Sequence, residues 1–146
     1  MNRYLFVYGT LKPESGLFKD LGIDYDVVGE GHIEGVKVNG TEYPAVIPAM
    51  NDKKQLVKGI LVKLNKPLIA LSILDEYEEY FPNSITKSLY VRDKTQVNLI
   101  DGQSEEGWIY WFNEKKSHKI NGTKPKTSAV VRLQSRKKRF SKAKNK

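Results

Sequence analysis

Short runs of apolar residues recur through the first 112 positions, separated by polar or glycine-containing breaks. The first run covers residues 4–8, and its five consecutive apolar or aromatic side chains predict a strand buried on both faces. It breaks at Gly9-Thr10 and resumes at once with Leu11. Further runs predict strands at residues 24–28, 31–38, 45–47, 56–64, 88–92, 96–100 and 107–112.

Periodicity separates strands from helix. Residues 56–64 alternate, with Leu56, Ile60, Val62 and Leu64 on one face, which is typical of a half-buried strand. The run 68–78 has helical spacing, with Asn65 as a candidate cap, and a shorter helix is predicted near residues 15–21. Many strands with one clear helix predict an α+β fold: a small mixed, mostly antiparallel β-barrel with one or two packed helices.

The net charge of +8 is unevenly distributed along the chain. Residues 1–115 hold 13 basic and 17 acidic side chains, whereas residues 116–146 hold 12 basic and no acidic ones. The sequence therefore predicts a mildly acidic domain, 1–115, followed by a basic and flexible tail, 116–146.

Two interpretations of the tail remain. A solvated tail is the simpler one, although residues 129–131 could add a short strand. The cluster 136–139 could also bind polyanions weakly and without sequence preference, because each neutralised phosphate releases counterions. Under either interpretation, catalysis is expected to survive truncation after Phe112.

Several kinds of chemistry find no support in the sequence. There is no cysteine, which removes disulfides, thiolate ligands and cysteine nucleophiles, and which fits a reducing, cytoplasmic location. No apolar run approaches the roughly 18 residues of a membrane span. His32 and His118 lack the surroundings of a catalytic triad. No metal-ligand spacing or nucleotide-binding glycine pattern occurs, so neither a metal nor a cofactor is expected.

Glu78 is the candidate catalytic carboxylate. It follows Leu74 and Leu71 at helical intervals of four and seven, so it lies on the apolar stripe, while Glu76 and Glu79 lie off it. A carboxylate facing a core is costly unless it is paired, hydrogen-bonded or protonated, and such an environment can make it a general base. The alternative is that Glu78 lies at a frayed helix end and is exposed to solvent beside the loop that follows.

The break after Tyr8 is the second candidate. Glycine permits a sharp turn and close approach of a ligand to the backbone. The N–H groups of the following residues, Thr10 and Leu11, could then bind a carboxylate or a phosphate. The alternative is an ordinary tight turn at a sheet edge.

Together these features resemble the gamma-glutamylcyclotransferase-like family over residues 4–112. The resemblance is carried by the order and spacing of short motifs: Val7-Tyr8-Gly9-Thr10-Leu11, Gly31-x3-Gly35, Tyr43-Pro44-Ala45-Val46, Val57-Lys58-Gly59-Ile60, Leu74-Asp75-Glu76-Tyr77-Glu78-Glu79-Tyr80 and Tyr90-Val91-Arg92. One position departs from the family, because Glu79 stands where glycine often follows the catalytic glutamate.

The resemblance implies both a site and a reaction. Glu78 would be the general base, and a small-molecule gamma-glutamyl substrate would lose its amine or amino acid as 5-oxoproline forms. A non-catalytic module that binds a small ligand in the same cavity is the alternative. The leaving amine is not indicated. The substrate would be bound by backbone groups of the first turn and by two cavity-lining tyrosines: Tyr8, Gly9, Thr10, Leu11, Tyr43 and Tyr90.

Overall fold

The computed structural model describes residues 2–38 and 45–114, with the side chain of Thr10 excepted. Tyr43 and the tail 116–146 lie outside the described residues. Within residues 2–38 and 45–114, six strands and two helices form in the order β1 Tyr4–Val7, α1 Leu17–Asp20, β2 Tyr25–Lys37, β3 Val46–Pro48, β4 Gln55–Leu64, α2 Pro67–Tyr77, β5 Tyr90–Leu99 and β6 Ser104–Phe112. The described part of the chain also contains three 3₁₀ turns, at Gly9–Leu11, Pro13–Ser15 and Ile85–Lys87.

The strands form one sheet that closes on itself. Their order is β3-β2-β4-β1-β6-β5, and β2 also pairs with β5, so five strands complete a barrel and β3 extends beside β2. The β1–β6 pair is parallel and the other pairs are antiparallel. This confirms the predicted fold class of a small mixed, mostly antiparallel barrel with packed helices.

Two apolar layers bury the central strand β1 on both faces. Phe6 and Tyr8 belong to the layer inside the barrel, with Ile33, Val46, Val57, Leu61, Val97, Ile109 and Trp111. Leu5 and Val7 belong to the outer layer, which includes Phe18 of α1 and Leu71 and Leu74 of α2. Residues 5–7 are at most 1% exposed, as the unbroken apolar run predicts.

Two long strands of the structure, β2 and β5, each combine two of the predicted strands. The predicted strands 24–28 and 31–38 merge into β2, which contains a bulge between Val27 and Gly29. The predicted strands 88–92 and 96–100 merge into β5, whose polar middle pairs with β6. The polar residues between the apolar runs belong to the strands, and their side chains face solvent. They end the apolar pattern in the sequence, but the backbone hydrogen bonds of the strand continue through them.

Strand β4 differs from the prediction of one buried face. Val62 and Leu64 are buried in the outer layer, but Leu56 on the same face is 60% exposed. Val57 and Leu61 on the other face fill the barrel. The strand is therefore buried on both faces near α2 and on only the inner face at its beginning.

Candidate active site

Helix α2 ends in a hydrogen-bonded loop that fixes the backbone around Glu78. The Glu79 amide donates to the carbonyl of Glu76 at 3.2 Å, and the Tyr80 amide donates to the carbonyl of Asp75 at 2.8 Å. These two bonds make a Schellman motif, with Glu78 as the C-cap residue. The helix begins at Pro67 directly after Lys66, so the predicted cap at Asn65 is displaced by one residue.

Glu79 occupies the left-handed position of this motif. Its φ is 55°, the one positive φ of a non-glycine residue among residues 2–38 and 45–114. Position C′ usually holds glycine because a Cβ atom is disfavoured there. The left-handed C′ geometry gives a physical reason for glycine after the candidate base, and this chain adopts the same backbone with a glutamate.

Glu78 is 3% exposed, whereas Glu76 lies at the surface. The carboxylate lies near two buried phenols. Burial raises the pKa of Tyr8 far above its usual value, and the Glu78 charge raises it further. A backbone hydrogen bond from Val46 lowers the Tyr8 pKa by a smaller amount. Burial and the Asp75 and Glu78 carboxylates raise the pKa of Tyr110, while Arg92 lowers it. Both phenols therefore remain protonated hydrogen-bond donors at neutral pH.

Three residues without a predicted role form a network beside Glu78. The Asp75 carboxylate accepts hydrogen bonds from Arg92 Nε at 2.7 Å, Arg92 Nη2 at 3.0 Å and the Tyr110 hydroxyl at 2.7 Å. Burial lowers the pKa of Arg92, but the hydrogen bond and charge of Asp75, together with Tyr110 and Tyr80, raise it, so the net shift of the Arg92 pKa is upward. Arg92 and Tyr110 are direct partners in the β5–β6 register.

The turn after β1 is a tight 3₁₀ turn. Gly9 has φ 62°, and its carbonyl accepts a hydrogen bond from the Lys12 amide at 3.2 Å. Leu11 is 6% exposed and packs in the outer layer with Phe18, so its side chain belongs to the core. The Tyr8 hydroxyl donates to the carbonyl of Tyr110 at 2.7 Å, which ties the start of this turn to β6.

Tyr90 is 4% exposed, and its ring meets Phe112 edge-to-face with centroids 5.8 Å apart. It opens β5 close to the helix end, because the Leu89 amide just before it donates to the carbonyl of Glu79 at 3.0 Å. The structure thus brings Tyr8, Glu78 and the backbone leading into Tyr90 into one region. Tyr43 lies outside the described residues.

A separate open groove of about 500 Å³ lies next to the turn, on the outer face of β2 and β4. It is lined by Lys12, Glu14, Glu30, Gly31, His32, Leu56, Lys58, Gly59, Ile60 and Ile100. The buried residues Tyr8, Glu78 and Tyr90 do not line it.

Within residues 2–38 and 45–114, no group of three or more His, Cys, Asp or Glu side chains could hold a metal ion. In the same part of the chain, no helix is long and apolar enough to cross a membrane.

Comparison with known proteins identifies the family. The family model for gamma-glutamyl cyclotransferase, AIG2-like, matches residues 5–128. The chain belongs to this family. A curated relative, the gamma-L-glutamyl-butirosin B gamma-glutamyl cyclotransferase of Niallia circulans, is 33% identical over 110 residues. The matched region covers 75% of this chain and 66% of the relative, just under two thirds of the relative's length.

Solved structures agree on the fold of this gamma-glutamyl cyclotransferase-like chain. A mouse AIG2-like protein superposes with a TM-score of 0.57 at 23% identity, covering 75% of this chain and 76% of the mouse protein. YkqA from Bacillus subtilis gives the same TM-score at 22% identity, covering 77% of this chain and 36% of YkqA. At these identities the likeness shows the barrel fold alone.

Proposed function

We propose that this protein releases 5-oxoproline from a gamma-glutamyl amine or gamma-glutamyl amino acid, with Glu78 as the general base. The observation that carries the proposal is the position of Glu78. Its side chain is 3% exposed and lies at the end of α2. The Glu78 charge raises the pKa of the Tyr8 phenol, and Tyr8 leads directly into the turn at Gly9. Membership of the family and the 33% identical cyclotransferase support the same class of reaction.

The reaction is an intramolecular acyl transfer. The α-nitrogen of the substrate attacks its own γ-carbonyl carbon, the ring C–N bond forms, and the bond to the leaving amine breaks. Of the three protons on the α-ammonium, one stays on the ring nitrogen and two end on the leaving amine. The first proton passes through Glu78, and no water or redox partner enters the balance.

The protein's main contributions are folding of the substrate and proton transfer. Holding an amine against a carbonyl of the same molecule requires a site that selects the bent conformer. Backbone groups of the first turn are proposed to bind the amino-acid end of the substrate, and two tyrosines to line its cavity. The turn residues are Tyr8, Gly9, Thr10 and Leu11, and the tyrosines are Tyr43 and Tyr90. This arrangement needs no enzyme nucleophile, which agrees with a chain that has no cysteine.

The test is a panel of substrates. The purified chain is incubated with gamma-glutamyl dipeptides, gamma-glutamyl-lysine isomers and gamma-glutamyl amines, and free 5-oxoproline is measured by chromatography. Enzyme-dependent release from at least one compound is expected. Binding of these compounds by calorimetry without any release would instead identify a non-catalytic binding module, and neither binding nor release would reject the site.

A further inference from the structure

We propose that Asp75, Arg92 and Tyr110 form a clamp that positions Glu78 and couples it to the turn after β1. This inference rests on the proposed function, because it assigns positioning residues to that reaction. The three side chains come from α2, β5 and β6, and they meet at the Asp75 carboxylate. We call these three residues the Asp75 clamp.

The clamp holds the segment that contains Glu78 at both of its ends. Arg92 binds Asp75 through two parallel hydrogen bonds, and its guanidinium also lies 5.6 Å from the ring centroid of Tyr80. Asp75 and Tyr80 are themselves joined by the 2.8 Å bond of the Schellman motif. One guanidinium therefore contacts the residues on either side of Glu78 and Glu79.

Arg92 is itself held in place. Its guanidinium lies 4.5 Å from the ring centroid of Trp108, and the side chains of Arg92 and Asp75 are only 16% and 17% exposed. A planar guanidinium stacked on an aromatic ring and bonded twice to one carboxylate has little rotational freedom. Such rigidity suits a residue that must hold a left-handed glutamate in its unfavourable backbone conformation, since strained positions persist only when their surroundings over-determine them.

Tyr110 connects the base to the proposed substrate turn. Its hydroxyl donates to Asp75, three residues before Glu78, and its carbonyl accepts the hydrogen bond of the Tyr8 hydroxyl. Both bonds are 2.7 Å long, and both are buried or partly buried. A single residue of β6 thus fixes the helix that carries Glu78 relative to the strand that leads into Gly9.

The test removes one oxygen atom. Tyr110→Phe keeps the ring, the strand pairing and the carbonyl that Tyr8 uses, and it loses only the hydroxyl bond to Asp75. Tyr25→Phe is the matched control, because it makes the same chemical change on β2, where the ring packs edge-on against Phe18. Steady-state kcat and KM are measured for a substrate found in the panel.

The clamp predicts that Tyr110→Phe lowers kcat by about tenfold or more while KM stays within about twofold, because a displaced base slows proton transfer in the bound complex. Tyr25→Phe should leave both constants within about twofold. A purely structural role would lower the unfolding midpoint without changing kcat of the folded fraction. An unchanged kcat in Tyr110→Phe would overturn the proposal.

A second readout does not depend on turnover. Amide hydrogen exchange at Tyr80, which donates to Asp75, should accelerate at least about tenfold in Tyr110→Phe, while exchange at Ile23, which donates to Phe18, stays the same. If the wild-type protein releases no 5-oxoproline, the proposed reaction fails and the clamp is judged by exchange alone. Unchanged exchange at Tyr80 would then reject it.

Discussion

At the scale of single residues, the left-handed backbone conformation of Glu79 lowers the free energy of unfolding, and a substitution can measure by how much. A left-handed conformation costs a residue with a Cβ atom about 1–2 kcal/mol, and glycine recovers this at the expense of greater freedom in the unfolded chain. Glu79→Gly is therefore expected to raise the free energy of unfolding by about 0.5–1 kcal/mol, as measured by urea denaturation.

Glu79→Ala is the matched control for that substitution. It removes the carboxylate but keeps the Cβ atom at φ 55°, so it should give no stabilisation. If the glycine variant were no more stable than the alanine variant, the left-handed backbone at position 79 would carry no measurable cost.

Part of the candidate site follows from the sequence, and part depends on strand register. The helical stripe predicted that Glu78 and not Glu76 faces the core, and their exposures agree. The clamp was missed because its members are distant in the chain: Asp75 is 17 positions from Arg92 and 35 from Tyr110. Only the register of β5 against β6 brings Arg92 and Tyr110 opposite each other, and periodicity does not determine that register.

At the scale of elements, the barrel depends on glycines that allow strands to approach closely. A Cβ atom at Gly59 of β4 would lie 2.4 Å from the carbonyl oxygen of Val7 and 2.5 Å from the ring of Phe6. Gly59→Ala is therefore expected to lower the free energy of unfolding by about 1–3 kcal/mol, the usual cost of overpacking. Thermal and urea unfolding measure this effect.

Gly29→Ala on β2 provides the comparison. A Cβ atom at Gly29 meets nothing within 4 Å, so this variant should stay within about 0.5 kcal/mol of the wild-type protein. Equal losses at Gly59 and Gly29 would mean that alanine is unfavourable in these strands for a reason other than crowding.

Element boundaries were predicted less well than element types. The bulge after Val27 lets one strand continue where the sequence suggested two, because bulges bend a strand without ending its pairing. The dipeptide Asp101-Gly102, whose sequence favours a hairpin turn, lies between β5 and β6, with Gly102 at φ 90°. Dipeptide turn signals act locally, whereas the merging of strands is decided by partners elsewhere in the barrel.

At the scale of the whole molecule, the question is where the domain ends. Truncation after Phe112 would remove Asn113, which is 7% exposed and whose side chain donates to the carbonyls of Ile85 and Ser88 at 2.9 and 2.8 Å. The informative truncation is therefore after Lys115. Residues 1–115 are expected to fold and to retain catalysis within about twofold of the full chain.

The same pair of proteins tests the basic tail. The full chain should bind duplex DNA of arbitrary sequence weakly, with affinity falling at least about tenfold between 50 and 200 mM salt, and the truncated chain should not. Fluorescence anisotropy measures both affinities. Failure of residues 1–115 to fold would place part of the domain beyond Lys115, and tight binding to one defined sequence at physiological salt would contradict nonspecific attraction.

The most direct test of the account is the rate of 5-oxoproline release by Glu78→Gln compared with Glu76→Gln. Both changes remove one carboxylate with almost no change in size, but Glu78 is buried beside Tyr8 and Glu76 lies at the surface. The account predicts that kcat falls by about 10²- to 10⁴-fold in Glu78→Gln, the usual contribution of a general base, and by less than about twofold in Glu76→Gln. A folded Glu78→Gln protein that releases 5-oxoproline at the wild-type rate would contradict it.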